Sequence, residues 1–410
     1  MKRVNGLLAS ILVIGLMTGC GGSGGGNKST IASEIKITLQ AEGELSLYVC
    51  GNHAATIDWG DGSPIESVTL SPDSDNPDTH LFEHSYTQAS EYIIIMKGED
   101  ITLFSCNELE LTGIELNAPA LTRLNCGYNH LTALDMSNCP QLEHLFCAVN
   151  KLISLDVSKN TALMDVDCGD NQLPGLDVGN NSALKYLRCD NNPLKNLDVS
   201  KNTALKELYC DFTQLTALDL SKNSALVYLN CIGNPLTGLD VSKNSALETL
   251  RCNFTKLTSL DVSKNTKLAV LDCSGNSLTD LDVSKNTALV ELSCVGNQLA
   301  GLDVSNNTAL KFFFCSDNQL TRLDLSKNTE LHQFNCYYNQ IASLDVSRND
   351  KLYYIICQDN QLSAEAMNVL FRSLHNNPDA NRKRTIEIRD NPGTNACNRS
   401  IAEGKGWKVE

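Results

Sequence analysis

Twelve cysteines stand at 126, 147, 168, 189, 210, 231, 252, 273, 294, 315, 336 and 357, each 21 residues from the next. A second register runs with the same period. LDVSKN occurs at 155, 197, 239, 260 and 281, with LDVGNN at 176, LDLSKN at 218 and 323, LDVSNN at 302 and LDVSRN at 344. A fixed period of this length marks a stacked repeat. So short a unit cannot bury an apolar face by itself, and its neighbours have to cover it.

One unit reads Leu184-x-x-Leu187-x-Cys189-x-x-Asn192-x-Leu194. The alternation Leu-x-Cys is that of a short strand with one buried face. Three residues after the cysteines comes a polar column: Asn129, Asn150, Asn171, Asn192, Asn234, Asn276, Asn297, Asn318, Asn339 and Asn360, broken only by Thr213 and Thr255. An asparagine side chain both donates and accepts, so a buried column of them can pair backbone groups at every turn. The other half of the unit, Leu194-x-x-Leu197-x-Val199-x-x-Asn202, repeats the grammar and leaves few residues for a convex helix. We expect strands on one side and extended or 3₁₀ backbone on the other.

From about 106 to 362 this pattern resembles the leucine-rich repeat, LxxLxLxxNxL with Cys in the third apolar place, in its internalin-like 21-residue form. The resemblance implies a mainly β fold: a right-handed solenoid with a parallel β-sheet, over 99–362. A small β-sandwich would precede it (31–98) and a small α/β cap would close it (363–410).

An exported chain with an even set of cysteines suggests disulfides. Side chains of in-register parallel strands point the same way, however, which suits poorly the ~90° torsion a disulfide needs. We expect free thiols packed as small hydrophobes. Cys50, Cys106, Cys139 and Cys397 lie outside the regular column, and their state is open. Asp135, Asp156, Asp177, Asp198, Asp219, Asp240, Asp261, Asp282, Asp303, Asp324 and Asp345 form a further column, with Lys159, Lys201, Lys222, Lys243, Lys264, Lys285 and Lys327 close by. Bonds to backbone N–H or serine hydroxyls would hold these carboxylates; calcium is the alternative.

At the start, Lys2 and Arg3 precede a short apolar run, Gly6–Met17, and then Met17-Thr18-Gly19-Cys20. This resembles a lipoprotein signal (1–19) with acylation at Cys20, and Gly21–Gly26 reads as a tether within 20–30. About 12 apolar residues are too few to cross a ~30 Å hydrocarbon core. In 31–98, the alternating runs Ile35–Leu39, Leu45–Val49 and Tyr92–Met96 read as strands. WGDG at 59–62, with His84-Ser85-Tyr86, resembles the PKD family of extracellular β-sandwich modules, usually spacers. Asp58 and Asp61 either cap the turn or hold calcium.

At the other end, Ser363 can cap a helix whose Met367, Leu370, Phe371 and Leu374 form an apolar stripe. Pro378, the basic run Arg382-Lys383-Arg384, a strand at Thr385–Arg389 and the turn Asp390–Gly393 follow. The ending resembles the terminal cap of surface leucine-rich repeat lipoproteins from Bacteroidota-type bacteria.

The LDVSKN arm hardly varies, as a scaffold would; the cysteine arm keeps its inward residues and changes the rest. Its outward positions carry Phe146, Tyr186, Arg188, Tyr209, Tyr228, Arg251, Phe254, Phe312, Phe314, Tyr337, Tyr353 and Tyr354. Aromatics and arginine on one open face match the composition of interface hot spots. The net charge of −15 argues against nucleic acid or an anionic membrane surface as partner. GxSxG, HExxH and phosphate-loop motifs are absent, and beyond the calcium alternatives above no metal or cofactor is expected. The expectation is a monomeric, lipid-anchored, non-enzymatic recognition or adhesion protein of the cell envelope, at the outer membrane or cell surface. Its ligand would be a protein. A surface glycan stacked on the same aromatics, or a passive stalk with no ligand, are the alternatives.

Overall fold

A computed structural model describes residues 31–71, 81–376 and 383–410. Cys20 and its tether lie outside the described residues, as do Pro378 and Arg382. The chain divides into two compact units, 1–183 and 184–410.

In the first unit, β1 (Ala32–Gly51) and β4 (Leu81–Glu99) pair antiparallel over most of their length. A bulge between Ala41 and Gly43 interrupts them, where Gly43 takes φ +88°. β2 (Ala54–Asp58) pairs with β4 and with β3 (Glu66–Thr69). Alternation along β1 buries Ile35, Ile37 and Leu39 before the bulge and Leu45, Leu47 and Val49 after it. The WGDG motif is explained by packing. Trp59 is buried and stacks on His84 at 4.7 Å, and its indole N–H donates to Glu66 at 2.8 Å. The Tyr86 hydroxyl donates to the Trp59 carbonyl at 2.7 Å. Asp58 accepts from the Gly60 N–H and Asp61 from the Ser63 N–H, while the other oxygen of Asp61 lies 2.8 Å from His84 Nε2. Both aspartates therefore cap the turn. Gly60 sits at φ +76°, and a Cβ there would lie 2.4 Å from the Ile93 carbonyl oxygen.

The stretch 101–117 links this module to the repeats. β5 (Ile101–Ser105) pairs antiparallel with the end of β1 and parallel with β7 (Arg123–Asn125). β6 (Leu111–Asn117) returns to pair with the start of β1. β8 (His144–Phe146) and β9 (Asp165–Asp167) then stack parallel on β7, one every 21 residues.

The second unit repeats the same step: β10 (Tyr186–Arg188), β11 (Glu207–Tyr209), β12 (Tyr228–Asn230), β13 (Thr249–Arg251), β14 (Val270–Asp272), β15 (Glu291–Ser293), β16 (Phe312–Phe314), β17 (Gln333–Asn335) and β18 (Tyr354–Ile356). Each pairs parallel and in register with the next. Only three residues per coil form a strand, the middle one fully buried. The LDVSKN arm forms no strand; it ends in two successive tight turns, such as Asn244 N–H to Val241 O and Leu247 N–H to Asn244 O, both 3.0 Å. The fold is thus a mainly β, parallel leucine-rich-repeat solenoid.

Two asparagine ladders hold the coils. In the first, Asn297 Nδ2 donates to the carbonyls of Cys294 (3.0 Å) and of Cys273 one coil back (3.1 Å), and its Oδ1 accepts from the Leu278 N–H at 3.0 Å. Asn129, Asn150, Asn171, Asn234, Asn276, Asn318, Asn339 and Asn360 repeat this bonding, and Asn192 donates to the Cys189 carbonyl. The second ladder runs through the last residue of LDVSKN. Asn286 Nδ2 donates to the carbonyls of Val262 and Asn265, both 2.9 Å, while its Oδ1 meets no donor. The first ladder therefore serves both kinds of backbone group, and the second serves carbonyls alone.

Two cysteines set aside from the repeat belong to it. Cys106 is the first rung of the thiol column: Ser105 pairs with Asn125 in register, and Asn129 donates to the Cys106 carbonyl. Cys139 heads the second ladder, its carbonyl accepting from Asn160 at 2.8 Å. At the other end, β19 (Arg384–Glu387) stacks on β18 and β20 (Trp407–Val409) on β19. Ile388 takes the cysteine place, and Asn391 adds a rung by donating to the carbonyls of Ile388 and Cys357. Helix α1 (Ala364–Ser373), capped by the Ser363 hydroxyl, buries Met367, Leu370 and Phe371. After α2 (Ser400–Glu403), Lys405 donates to the Leu374 carbonyl at 2.5 Å, and the Trp407 indole to the His375 carbonyl at 2.9 Å.

Asn297→Ala orphans the buried Leu278 N–H, and is expected to cost ~1–3 kcal/mol. Asn286→Ala removes one bond each from the Val262 and Asn265 carbonyls, which keep the Asn265 and Leu268 N–H groups as donors at 3.0 Å, so it costs less. Urea unfolding of the two variants is expected to give the lower midpoint for Asn297→Ala; equal midpoints would contradict the two-ladder account.

Candidate recognition surface

A three-residue strand with its centre buried sends its first and third side chains outward. Stacking at ~4.8 Å turns those positions into two columns. In the first unit they carry Arg123, His144 and Asp165, then Asn125, Phe146 and Asp167. His144 Nδ1 lies 2.6 Å from the Asp165 carboxylate. In the second unit most outward side chains are half-buried, because each leans on its neighbours.

Two aromatic groups stand out there. Tyr186 and Tyr209 have ring centroids 5.4 Å apart, and Tyr209 stacks on Tyr228 at 4.6 Å. The Tyr209 hydroxyl donates to Glu207 at 3.1 Å, and Arg188 is tied to Asp190 at 2.7 Å. Burial first, and the Glu207 carboxylate second, push the Tyr209 phenol up. The second group runs from Phe312 through His332 to Tyr353, each step 6.2 Å, with Gln333 donating to the Tyr353 hydroxyl at 2.5 Å. Phe314 shares strand β16 with Phe312. Tyr354 donates to Glu387 of the cap, a bond that with burial pushes its phenol up to about 12. Between the two groups the face is small and acidic, with Val270, Asp272, Glu291 and Ser293.

The expected face residues do not all lie on strands. Tyr186, Arg188, Tyr209, Tyr228, Arg251, Phe312, Phe314 and Tyr354 do, as does Phe146 in the first unit. Tyr353 precedes β18 by one residue. Phe254 and Tyr337 sit on the corner after the cysteine instead, both exposed. That corner holds its second residue in left-handed backbone: Tyr128, Phe212, Phe254 and Tyr338 all have φ between +49° and +55°. Sequence reasoning missed His332, Gln333 and Glu387. Nothing marked the first two, and Glu387 lies beyond the periodic stretch.

The periodic columns have plain chemistry. Each aspartate of the Asp column, from Asp135 to Asp345, accepts the backbone N–H two residues on at 2.8–2.9 Å. That N–H and the serine hydroxyl hold Asp198, Asp219, Asp240 and Asp261 below the usual carboxylate range, with the following lysine a lesser influence. Among the described residues, no three His, Cys, Asp or Glu are placed to hold a metal ion. Among the described residues the cysteines form no disulfide, and all but Cys397 are buried. Several donate to a carbonyl of the next coil, as Cys273 does to Ser293 O at 3.6 Å. Burial pushes Cys126, Cys231, Cys294 and Cys357 up to about 12, and Cys147, Cys210, Cys252, Cys273, Cys315 and Cys336 well above the ordinary thiol value. Nucleophilic chemistry needs the thiolate, which this burial disfavours.

No family model matches the chain, and no curated protein does. Solved structures do. The functional domain of InlJ from Listeria monocytogenes, described as including a cysteine ladder, is 31% identical over 74% of this chain and 72% of that one, with a TM-score of 0.62. An internalin from the same organism, InlF, is 20% identical over 75% and 86%, with a TM-score of 0.59. The plant peptide hormone receptor RGFR1, solved in complex with RGF2, is 20% identical over 71% and 55%, with a TM-score of 0.55. At 20% these last two likenesses are of fold alone.

The thiol column sets an alkaline limit. A folded-state pKa raised above the unfolded value of ~8.5 leaves stability intact below that pH and erodes it as pH climbs toward the folded value. Each buried thiol steepens the loss by up to about 1.4 kcal/mol per pH unit. The urea midpoint is expected to hold near pH 7.5 and to fall steeply from 8.5 to 10, less steeply in Cys273→Ala. A flat profile would show that the column is not buried.

Proposed function

The chain belongs to the cysteine-ladder, internalin-type leucine-rich repeat proteins, and we propose that it is a non-enzymatic recognition protein that binds a protein partner through the outward side chains of its strands. One observation carries this reading. On a scaffold that repeats almost unchanged, the cysteine arm varies outside its inward residues, and along its strands it groups Tyr186, Tyr209 and Tyr228 in one place and Phe312, His332 and Tyr353 in another. Rigid aromatics in a partly desolvated setting, with arginine close by, are what protein interfaces enrich. The acidic stretch between them, Asp272 and Glu291, adds a charge pattern that a partner has to match. A receptor of like fold is solved in complex with RGF2, which supports a peptide or protein as the kind of ligand.

In this reading the strand residues and Phe146 act as contacts, while the ladder asparagines only hold them in place. Cys20 would anchor the chain by its lipid in the outer membrane or at the cell surface, and the β-module, in its PKD-like character, would serve as spacer. Acyl chains contribute ~0.8 kcal/mol per buried CH₂, so more than one is needed for a stable anchor.

The test uses the full chain immobilised on beads, exposed to solubilised surface proteins. One variant carries Tyr186→Ser, Tyr209→Ser, Tyr228→Ser and Phe314→Ser; a control carries Lys222→Ser and Lys243→Ser on the constant arm. The expected outcome is a discrete protein retained by the wild type and the control and reduced at least tenfold with the face variant. Equal retention by all three would remove the strand face from the reading.

A further inference from the structure

We propose a second docking place on the corner that follows the strands, built from Phe212 and Phe254 and fitted to a proline-rich segment in the polyproline II conformation. It rests on the protein-recognition reading but uses different residues.

The first asparagine ladder is broken at two coils, by Thr213 and Thr255. Those are the coils where the residue just before is phenylalanine, Phe212 and Phe254. In both cases the corner of the next coil is glycine, Gly233 and Gly275. The coincidence is geometric. Phe212 Cδ1 and Cε1 lie 2.7 and 2.9 Å from where a Cβ on Gly233 would stand, and Phe254 Cδ1 and Cε1 lie 2.5 and 2.8 Å from the same point on Gly275. Each ring rests on bare glycine backbone and leaves its outer side to solvent, with exposures of 56% and 64%. Each stands in left-handed backbone, at φ +49° and +55°, which bulky residues avoid. Each also sits beside a threonine that cannot replace the asparagine: Thr213 Oγ1 faces both Cys210 O at 3.0 Å and Asn234 Oδ1 at 2.6 Å with one proton to give. The left-handed corner is common to most coils, Tyr128, Val149 and Tyr338 among them; what falls together twice, two coils apart, is reduced ladder bonding and an exposed ring laid over glycine. Breaches of local rules that nothing in the fold compensates mark functional positions.

The kind of partner follows from the corner's backbone and spacing. Its N–H groups are already committed to the next coil: Phe212 to Ile232 O, Gly233 to Asn253 O, Phe254 to Ser274 O and Gly275 to Val295 O, at 2.7–3.0 Å. A peptide adding as a strand would find no partners there. A helix ~10 Å across needs a groove to lie in, and these rings are more than half exposed. Two coil steps of ~4.8 Å place the rings ~10 Å apart. A polyproline II helix has three residues per turn at ~3.1 Å each, so its prolines at i and i+3 recur every ~9 Å. Flat pyrrolidine rings at that spacing meet both phenylalanines, and such a helix asks for no backbone pairing.

The experiment titrates the full chain with fluorescein-labelled decaproline, with a Gly-Ser decapeptide as control and with cello- and chito-hexaose as glycan probes. Variants are Phe212→Asn, Phe254→Asn and the double; asparagine tolerates left-handed backbone, and the melting temperature checks the fold. Phe212→Leu with Phe254→Leu keeps exposed apolar bulk without the flat rings, should the asparagine pair fail to fold. The result expected is saturable decaproline binding that each single variant weakens at least tenfold, with no binding of the Gly-Ser peptide. No decaproline binding, or binding that survives both double variants, overturns the proposal. So does a hexasaccharide that binds and is lost in the double variants while decaproline does not bind. The strand-face variant is expected to bind decaproline normally, so the failure of one reading is distinguishable from the failure of the other.

Discussion

The whole arrangement depends on pairing the backbone where each coil turns a buried corner. A strand of three residues satisfies little of its own chain, and the corners that follow carry N–H and C=O groups into an apolar interior. There an unmade bond costs more than a made one gains. The asparagine amide resolves this because it reaches one coil back: its donor covers two carbonyls and, in the first ladder, its oxygen covers an N–H. The reach has a fixed length, so the coils have to stack in register, and the register in turn fixes where every outward side chain stands. The thiol column obeys the same geometry. A cysteine is small enough for the space inside the corner, and its S–H finds a carbonyl of the next coil. The last coil places Ile388 there instead, and Asn391 still closes the ladder.

Much of this is legible in the sequence because the physics is periodic. A column of Leu, Cys and Asn at a constant 21 residues has one economical reading, and the coils stack as that reading requires. Where periodicity fails, so does legibility. Cys106 is one residue out of phase and looks detached from the column until the β5–β7 pairing puts it in line. Cys139 replaces an asparagine and hides the first rung of the second ladder. Asn391 lies 31 residues after Asn360, with a helix in the gap, so the turn it marks gives no sign of being a rung. On the face, the strand positions follow from alternation. The corner residue Phe254 does not, because the turn into left-handed backbone there breaks the side-chain parity that alternation assumes.

The two arms differ in how many of their residues the scaffold uses. In LDVSKN the leucine and valine are buried, the exposed aspartate caps the turn, the serine supplies the capped N–H, and the asparagine forms the ladder; the lysine is the other exposed residue. Five of six positions are therefore fixed by the fold, and the hexapeptide has little freedom to change. On the cysteine arm the fold fixes the middle strand residue, the cysteine and the ladder position, and leaves the flanking side chains free. A free position drifts toward solvent-compatible residues unless something holds an aromatic there, since a large apolar side chain at the surface contributes little to a monomer's stability. Tyrosines in ring contact on three successive strands, and phenylalanines placed over glycines at the cost of ladder bonds, are the opposite of drift. The same stacking rule that makes the scaffold monotonous is what makes these departures readable as contacts.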